Sequence, residues 1–202
     1  MATQPDTWSE TALVSISAQA GADVTFQTIT ETVDIGIGDK DFDVTATIAG
    51  GRLVKYTPQE PTTITLEAYP VDAATTGFTT ATTGTGFFDL LNTYDTAEPQ
   101  IITVDRNRNK HRIAIMWTNG TATNATAQVV TPTAQALRVV ASDGYFTSVK
   151  PSFTDGVLKF SVTYKVPPFD KSGNGNIKIE SINGSATATL TALASYTSTV
   201  KW

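Results

Sequence analysis

Apolar and polar residues alternate with a period of two along most of the chain, the pattern of strands with one buried and one wet face. The clearest case is GVLKFSVTYKV at 156–166. Leu158, Phe160, Val162, Tyr164 and Val166 share one face, and Val157, Lys159, Ser161, Thr163 and Lys165 share the other. Asp155-Gly156 before it is a tight-hairpin signal. Pro167-Pro168 after it ends ladder pairing, because proline has no N–H to give. SGNGN then turns the chain into IKIESI, a second alternating strand. The stretch from Tyr145 to Ser181 therefore predicts two or three long strands joined by tight turns.

The same pattern predicts strands elsewhere. ALVSISA at 12–18 is a short one. From Asp23, Val24, Phe26, Thr28, Thr30 and Thr32 alternate with their neighbours, and the phase changes at Val33, Ile35 and Ile37. Such a change predicts a bulge or a break between two strands. FDVTATI, the turn Gly50-Gly51, RLVKY, ITLEAY and PQIITVD follow. IAIMW is uniformly apolar and is expected at the centre of a sheet. ALRVVA and YFTSV lead into the long ribbon, and ATATLTALASYTSTVKW predicts a last strand pair. Phe87, Phe88, Leu90 and Leu91 fit one side of a short helix. The total is about ten to twelve strands, with no repeat of fixed period. The expected class is all-β: a β-sandwich or distorted barrel with one short flanking helix and long loops, built as a single domain over 1–202. Two segments stand apart: a polar N-terminal arm at 1–10 carrying Trp8, and a Gly/Thr-rich flexible loop at 73–86 carrying Phe78.

Composition narrows the function. Charged residues make up 16% of the chain, and Thr, Ala and Ser fill their place, which suits half-buried sheets. A net charge of −5 argues against wrapping nucleic acid, which needs a basic surface. The absence of cysteine excludes disulfides, thiolate nucleophiles and Cys-ligated zinc. MATQPDTWSET lacks the basic start and apolar run of a signal peptide, and no apolar run approaches the ~20 residues that span a bilayer. The expectation is a soluble chain made in the cytoplasm.

Candidate chemistry is sparse. His111, the one histidine, lies in RNRNKHR and is expected as an exposed turn residue. No G-x-S-x-G elbow is present. Glu60, Glu67 and Asp89 could serve a carbohydrate hydrolase, but nothing pairs them. Asp170, Ser172, Asn174 and Gly175 match the first half of a calcium loop, yet the twelfth position is Ser181 and the flanks are strands, so a Gly/Asn hairpin turn explains the same letters. No cofactor is implied. Arg106, Arg108, Lys110 and Arg112 are four of the 14 basic residues, and on a hairpin they would share one face. They are expected either as a solvated tip or as a charged contact to a partner, with the acidic group Asp39, Asp41 and Asp43 on another copy of the chain as the leading counterpart.

Three stretches carry a resemblance: ETVDIGIGDKDFDVTATIAGGRLVKYTPQEPTTITLEAYPVDA, GFFDLLN, and FTDGVLKFSVTYKVPPFDKSGNGNIKIES. Together they resemble the major tail (tail tube) proteins of long-tailed viruses with non-contractile tails, with viruses of archaea as one candidate source. The resemblance rests on pattern and order along the chain. It implies a structural protein of the virion tail without enzymatic activity. Copies would form rings, usually sixfold, that stack into a hollow tube whose inner wall is a continuous barrel. DNA would pass through without specific binding, and other tail proteins would close the tube ends. No membrane is involved. Trp8, Phe78, Asp39, Asp41, Asp43, Arg106, Arg108, Lys110 and Arg112 are the expected subunit-interface residues. A virion decoration, receptor-binding or surface-layer β-domain remains the alternative, and self-assembly separates the two.

Overall fold

A computed structural model describes residues 12–19, 23–26, 28–70, 110–120, 122, 124–130, 134–184, 187–197 and 199–202. The described residues are all-β and contain no helix. The strands are β1 (Ala12–Ala18), β2 (Asp23–Phe26), β3 (Thr28–Gly36), β4 (Phe42–Ala46), β5 (Arg52–Tyr56), β6 (Thr62–Pro70), β7 (His111–Thr118), β8 (Val129–Val130), β9 (Gln135–Thr154), β10 (Val157–Val166), β11 (Ile177–Asn183) and β12 (Thr189–Leu190). The expected helix at 87–94 and the loop at 73–86 lie outside the described residues, as does the arm at 1–10.

The main sheet runs β2-β1-β7-β9-β10-β6-β3, with β11 also on β9. Every pair is antiparallel. Its two end strands, β2 and β3, are separated in sequence only by position 27. The covalent chain therefore joins the two ends of the sheet, which curls round on itself as a barrel. β9 makes the opposite corner. Its first part pairs with β7 and β11, and its second part pairs with β10.

Inside the curl, Ile16, Ile113 and Ile115 from one half meet Ile64, Leu66, Phe160, Val162 and Tyr164 from the other. The β10 alternation is as the sequence predicts: Phe160, Val162, Tyr164 and Val166 are buried. Asp155 and Gly156 both take positive φ, 54° and 78°, as a two-residue hairpin of the expected type requires. The phase change at Val33 follows a register shift between Thr30 and Thr32, and a separate break between β2 and β3 falls at position 27, within the alternation read as continuous. β7 is central as expected and is buried on both faces. Ile113 and Ile115 face the inner core, while Ala114 and Met116 face a second, outer cluster with Val129, Val140 and Leu190.

Two strand expectations are corrected. ALRVVA and YFTSV form one strand, because Asp143 takes φ 61° and bends β9 without ending its pairing. The carboxy-terminal segment makes only the two-residue β12 and then runs as an irregular strap. Its carbonyls are taken by side chains instead of a ladder. Arg138 donates to Thr191 O at 2.7 Å and Arg112 to Ala194 O at 2.8 Å. Arg138 is buried and also donates to Glu180 Oε2 and to Ala127 O. Burial alone would raise the Glu180 carboxyl; its hydrogen bonds from Lys178 and Arg138 outweigh that and lower it.

The corner of β9 is held by one hydroxyl. Tyr164 Oη donates toward His111 O at 2.8 Å and Ala141 O at 3.1 Å, and it accepts from Gly144 N–H at 3.0 Å. Burial raises its pKa well above the ordinary tyrosine value, so it stays a neutral donor. A Cβ on Gly144 would stand 2.3 Å from the Tyr164 ring and 2.7 Å from Lys165 O. Tyr164→Phe is expected to cost about 1–3 kcal/mol, the range for stranding buried polar groups. Urea unfolding should show a lower midpoint with an unchanged slope. An unchanged midpoint would mean that the hydroxyl does not hold the corner.

Candidate functional site

Several of the exposed large apolar side chains among the described residues lie together on a two-stranded ribbon. β4 and β5 pair only with each other in a two-stranded sheet. Cross-strand partners share a face, so Phe42 with Tyr56 and Val44 with Val54 form an apolar face. Asp43 with Lys55 and Thr45 with Leu53 form the opposite, more polar face. Phe42, Val44, Val54 and Tyr56 are all between 47% and 67% exposed. The Phe42 and Tyr56 rings lie 6.4 Å apart, and Lys40 Nζ sits 5.5 Å from the Tyr56 ring centre. The ribbon is thus amphipathic, yet its apolar face stays exposed and its strands pair with no other strand among the described residues.

Its neck is well held. Thr57 N–H donates to Asp41 O at 2.9 Å and Glu60 N–H to Asp39 O at 3.1 Å. Gly38 passes so close to Glu60 that an added Cβ would overlap the Glu60 carbonyl. Asp39, Asp41 and Asp43 therefore sit exposed where the ribbon leaves the barrel, and they form no ion pair among the described residues. The acidic cluster was legible in the sequence. The apolar face beside it was not singled out, although the alternation of Phe42, Val44 and Ala46 was the signal.

The basic stretch divides. Arg106 and Arg108 lie outside the described residues, as do Trp8 and Phe78. Lys110 is partly exposed. Arg112 and His111 are buried, which corrects the expectation of an exposed hairpin tip. The reason is that β7 begins at His111 and occupies the sheet centre. His111 packs edge-on against Phe146 at 5.2 Å, and the Arg112 guanidinium lies over Tyr196 at 5.6 Å under the carboxy-terminal strap. Arg112 is thus spent inside its own chain and is not available to a neighbour.

The Asp170 loop is a closed turn. Asp170 Oδ1 accepts from Ser172 N–H at 2.8 Å and Asn174 N–H at 2.9 Å, and Gly173 takes φ 82°. Asp170 Oδ2 accepts from the Asn174 side chain at 3.1 Å and from Lys201 Nζ at 3.0 Å. Both carboxylate oxygens are engaged, and an ammonium stands where a calcium ion would have to sit. Of the two readings of Asp170, Ser172 and Asn174, the hydrogen bonds are those of the turn: the letters make an Asx-type turn. Among the described residues no group of three or more His, Cys, Asp or Glu side chains could hold a metal. Lys201 also contacts Asp143 Oδ2 at 3.1 Å and Asn176 Oδ1 at 2.5 Å, so this one residue ties the end of the strap to the β9 corner and to the loop. Beside it lies a cleft of about 450 Å³, with Gln19, Lys110, Tyr145, Pro167, Phe169 and Lys171 among its walls.

No protein-family model matches the chain, and no curated protein matches it. Solved structures with a similar chain course exist. One is the sheath–tube complex, in its extended state, of an extracellular contractile injection system (PVC): 18% identity, 84% of this chain and 88% of that chain covered, TM-score 0.44. A second is the sheath/tube terminator of the same system: 18% identity, 89% and 99% covered, TM-score 0.46. A third is the Hcp1 protein of an E. coli pathovar: 12% identity, 86% and 97% covered, TM-score 0.38. All three are distant likenesses.

The Asp170–Lys201 pair makes a pH prediction. Lys201, then Asn174, hold the Asp170 carboxyl far below its ordinary value of 3.8. A carboxyl depressed by folding stabilises the fold above its unfolded pKa, and that stability is lost as pH falls toward the folded pKa. Asp170→Asn should therefore melt below wild type at about pH 6, and the gap should narrow steadily below about pH 4. A melting-temperature series would show this. A gap constant down to about pH 2.5 would mean that the carboxylate charge contributes nothing.

Proposed function

We propose that this chain is a structural protein that assembles with copies of itself into stacked rings around a hollow bore. The observation that carries this reading is the β4–β5 ribbon, which holds an apolar face out into solvent on a firmly bonded neck. A two-stranded ribbon is marginal on its own. Covering its four half-exposed apolar side chains contributes on the order of 1 kcal/mol each. A ring repeats that contact in every copy. The ribbon also lies within the longest stretch that resembles tail tube proteins, and β10 with the Asp155-Gly156 turn before it lies within another. On that resemblance the tube belongs to the tail of a long-tailed virus. Its rings are sixfold, other tail proteins close its ends, and DNA passes through without specific contacts. A net charge of −5 suits a wall that does not grip phosphates. Asp39, Asp41 and Asp43 at the ribbon neck meet cations of a neighbour, with Arg106 and Arg108 as the partners, since Arg112 is buried and Lys110 lines a cleft.

The test is assembly itself. Wild-type protein should show rings or tubes by negative-stain electron microscopy. Val44→Asp with Tyr56→Asp should leave the melting temperature within a few degrees of wild type. The same pair should raise the concentration needed for assembly at least about tenfold by sedimentation velocity, the effect of removing ~1.4 kcal/mol. A wild-type chain that stays monomeric at every concentration would instead favour a decoration or receptor-binding domain. Unchanged assembly of the double variant would remove the ribbon from the interface.

A further inference from the structure

The cleft beside Lys201 and the first residues of the chain complement each other. Tyr145, Pro167 and Phe169 give the cleft an apolar wall, and Phe169 is 53% exposed. Lys110 and Lys171 lie on its walls and form no ion pair among the described residues, whereas Lys201 is neutralised by Asp143 and Asp170. The cleft therefore presents an aromatic and proline surface with two unspent cations. Its volume of about 450 Å³ falls within the usual range for a binding cleft.

The amino-terminal sequence reads Asp6-Thr7-Trp8-Ser9-Glu10. In an extended chain, positions 6, 8 and 10 point the same way, so two carboxylates flank one indole. Two carboxylates and one indole are the chemical complements of the two lysines and the aromatic wall among the cleft's lining residues.

Chain length decides whose arm can reach it. Gln19, just past the end of β1, lines the cleft, while the arm leaves from the other end of β1 at Ala12. Seven strand steps separate the two residues, roughly 23 Å at ~3.3 Å per residue. Four residues from Ala12 to Trp8 span at most ~14 Å, and an arm doubling back along β1 would lose part of that in the turn. Trp8 therefore cannot seat in the cleft of its own chain.

We propose that the cleft receives residues 6–10 of a neighbouring copy, with Trp8 on Tyr145, Pro167 and Phe169, and Asp6 and Glu10 toward Lys110 and Lys171. The contact is head to tail: each copy gives its arm at one end of β1 and receives another at the opposite end. Such contacts do not close a pair, so they propagate along a stack. The cleft shares its end of the barrel with the β4–β5 ribbon, since β6 begins at Thr62 opposite Val166 and Pro167 follows directly. This inference rests on the self-assembly reading and adds a specific joint to it.

Because the chain has no cysteine, disulfide trapping reports the joint cleanly. Full-length chains carrying Asp6→Cys, Lys171→Cys, or both would be assembled under reducing conditions, inspected by negative stain, and then oxidised. The double variant should give a ladder of dimers, trimers and longer chains on a non-reducing gel. The two single variants should form a one-to-one crosslinked pair only when mixed. An intrachain disulfide in the double variant, or assembled particles that give no ladder, would overturn the arm seating and leave the ring reading intact. A ladder from protein that forms no rings or tubes would keep the head-to-tail joint and remove the ring reading. Monomers without crosslinks would remove both.

Discussion

A twenty-residue strand that must serve two halves of a curled sheet is the constraint on which the rest of the structure depends. β9 has to stay paired through its bend, or the barrel opens at that corner. The bend is made at Asp143-Gly144, where one residue adopts positive φ and the next leaves no room for a side chain. Backbone groups freed by the bend would be costly inside a core. The Tyr164 hydroxyl satisfies them, reaching the carbonyls of His111 and Ala141 and the amide of Gly144. One side chain on β10 thereby ties β7 to both arms of β9. The opposite corner needs no such device, because the chain itself runs from β2 into β3.

Outside the barrel, two buried arginines organise the cover. Arg112 and Arg138 project from neighbouring strands on the outer face and donate to carbonyls of the strap and of the 124–130 segment. A segment without a ladder must find partners for its carbonyls elsewhere, and guanidinium groups supply several donors each. Their charges are handled differently. Arg138 has Glu180 across the β9–β11 pair, while Arg112 lies over the Tyr196 ring, whose hydroxyl donates to Asp143. Lys201 completes the cover by pinning the end of the strap to Asp143 and Asp170. The strap, the β9 corner and the Asp170 loop are thus one connected unit.

With those charges spent internally, two exposed surfaces stand out among the described residues. The ribbon carries apolar side chains on one face and unpaired carboxylates at its neck. The cleft carries an aromatic wall with two unspent lysines. Both sit at the same end of the barrel, where β6 starts and β10 stops, and the amino-terminal arm leaves from the other end of β1.

Period-two alternation was enough to establish the all-β class and the buried face of β10, the uniformly apolar run IAIMW the central place of β7, and the Asp-Gly pair the hairpin at 155–156, because each depends on residues adjacent in sequence. The phase change at Val33 likewise announced the register shift in β3, whereas the break between β2 and β3 at position 27 falls inside an unbroken alternation and left no such sign. What the alternation could not carry was the fate of the charges. Arg112 reads as one more cation in a basic run, and only the position of β7 between β1 and β9 places it under the strap. Asp170 reads as half of a calcium loop until Lys201, thirty-one positions away, occupies the cation's place. The strap itself alternates like a strand, but its carbonyls found arginine side chains before they found a neighbouring ladder. Local pattern decides which way a side chain points; which partner waits there depends on distant segments that only the folded chain brings together.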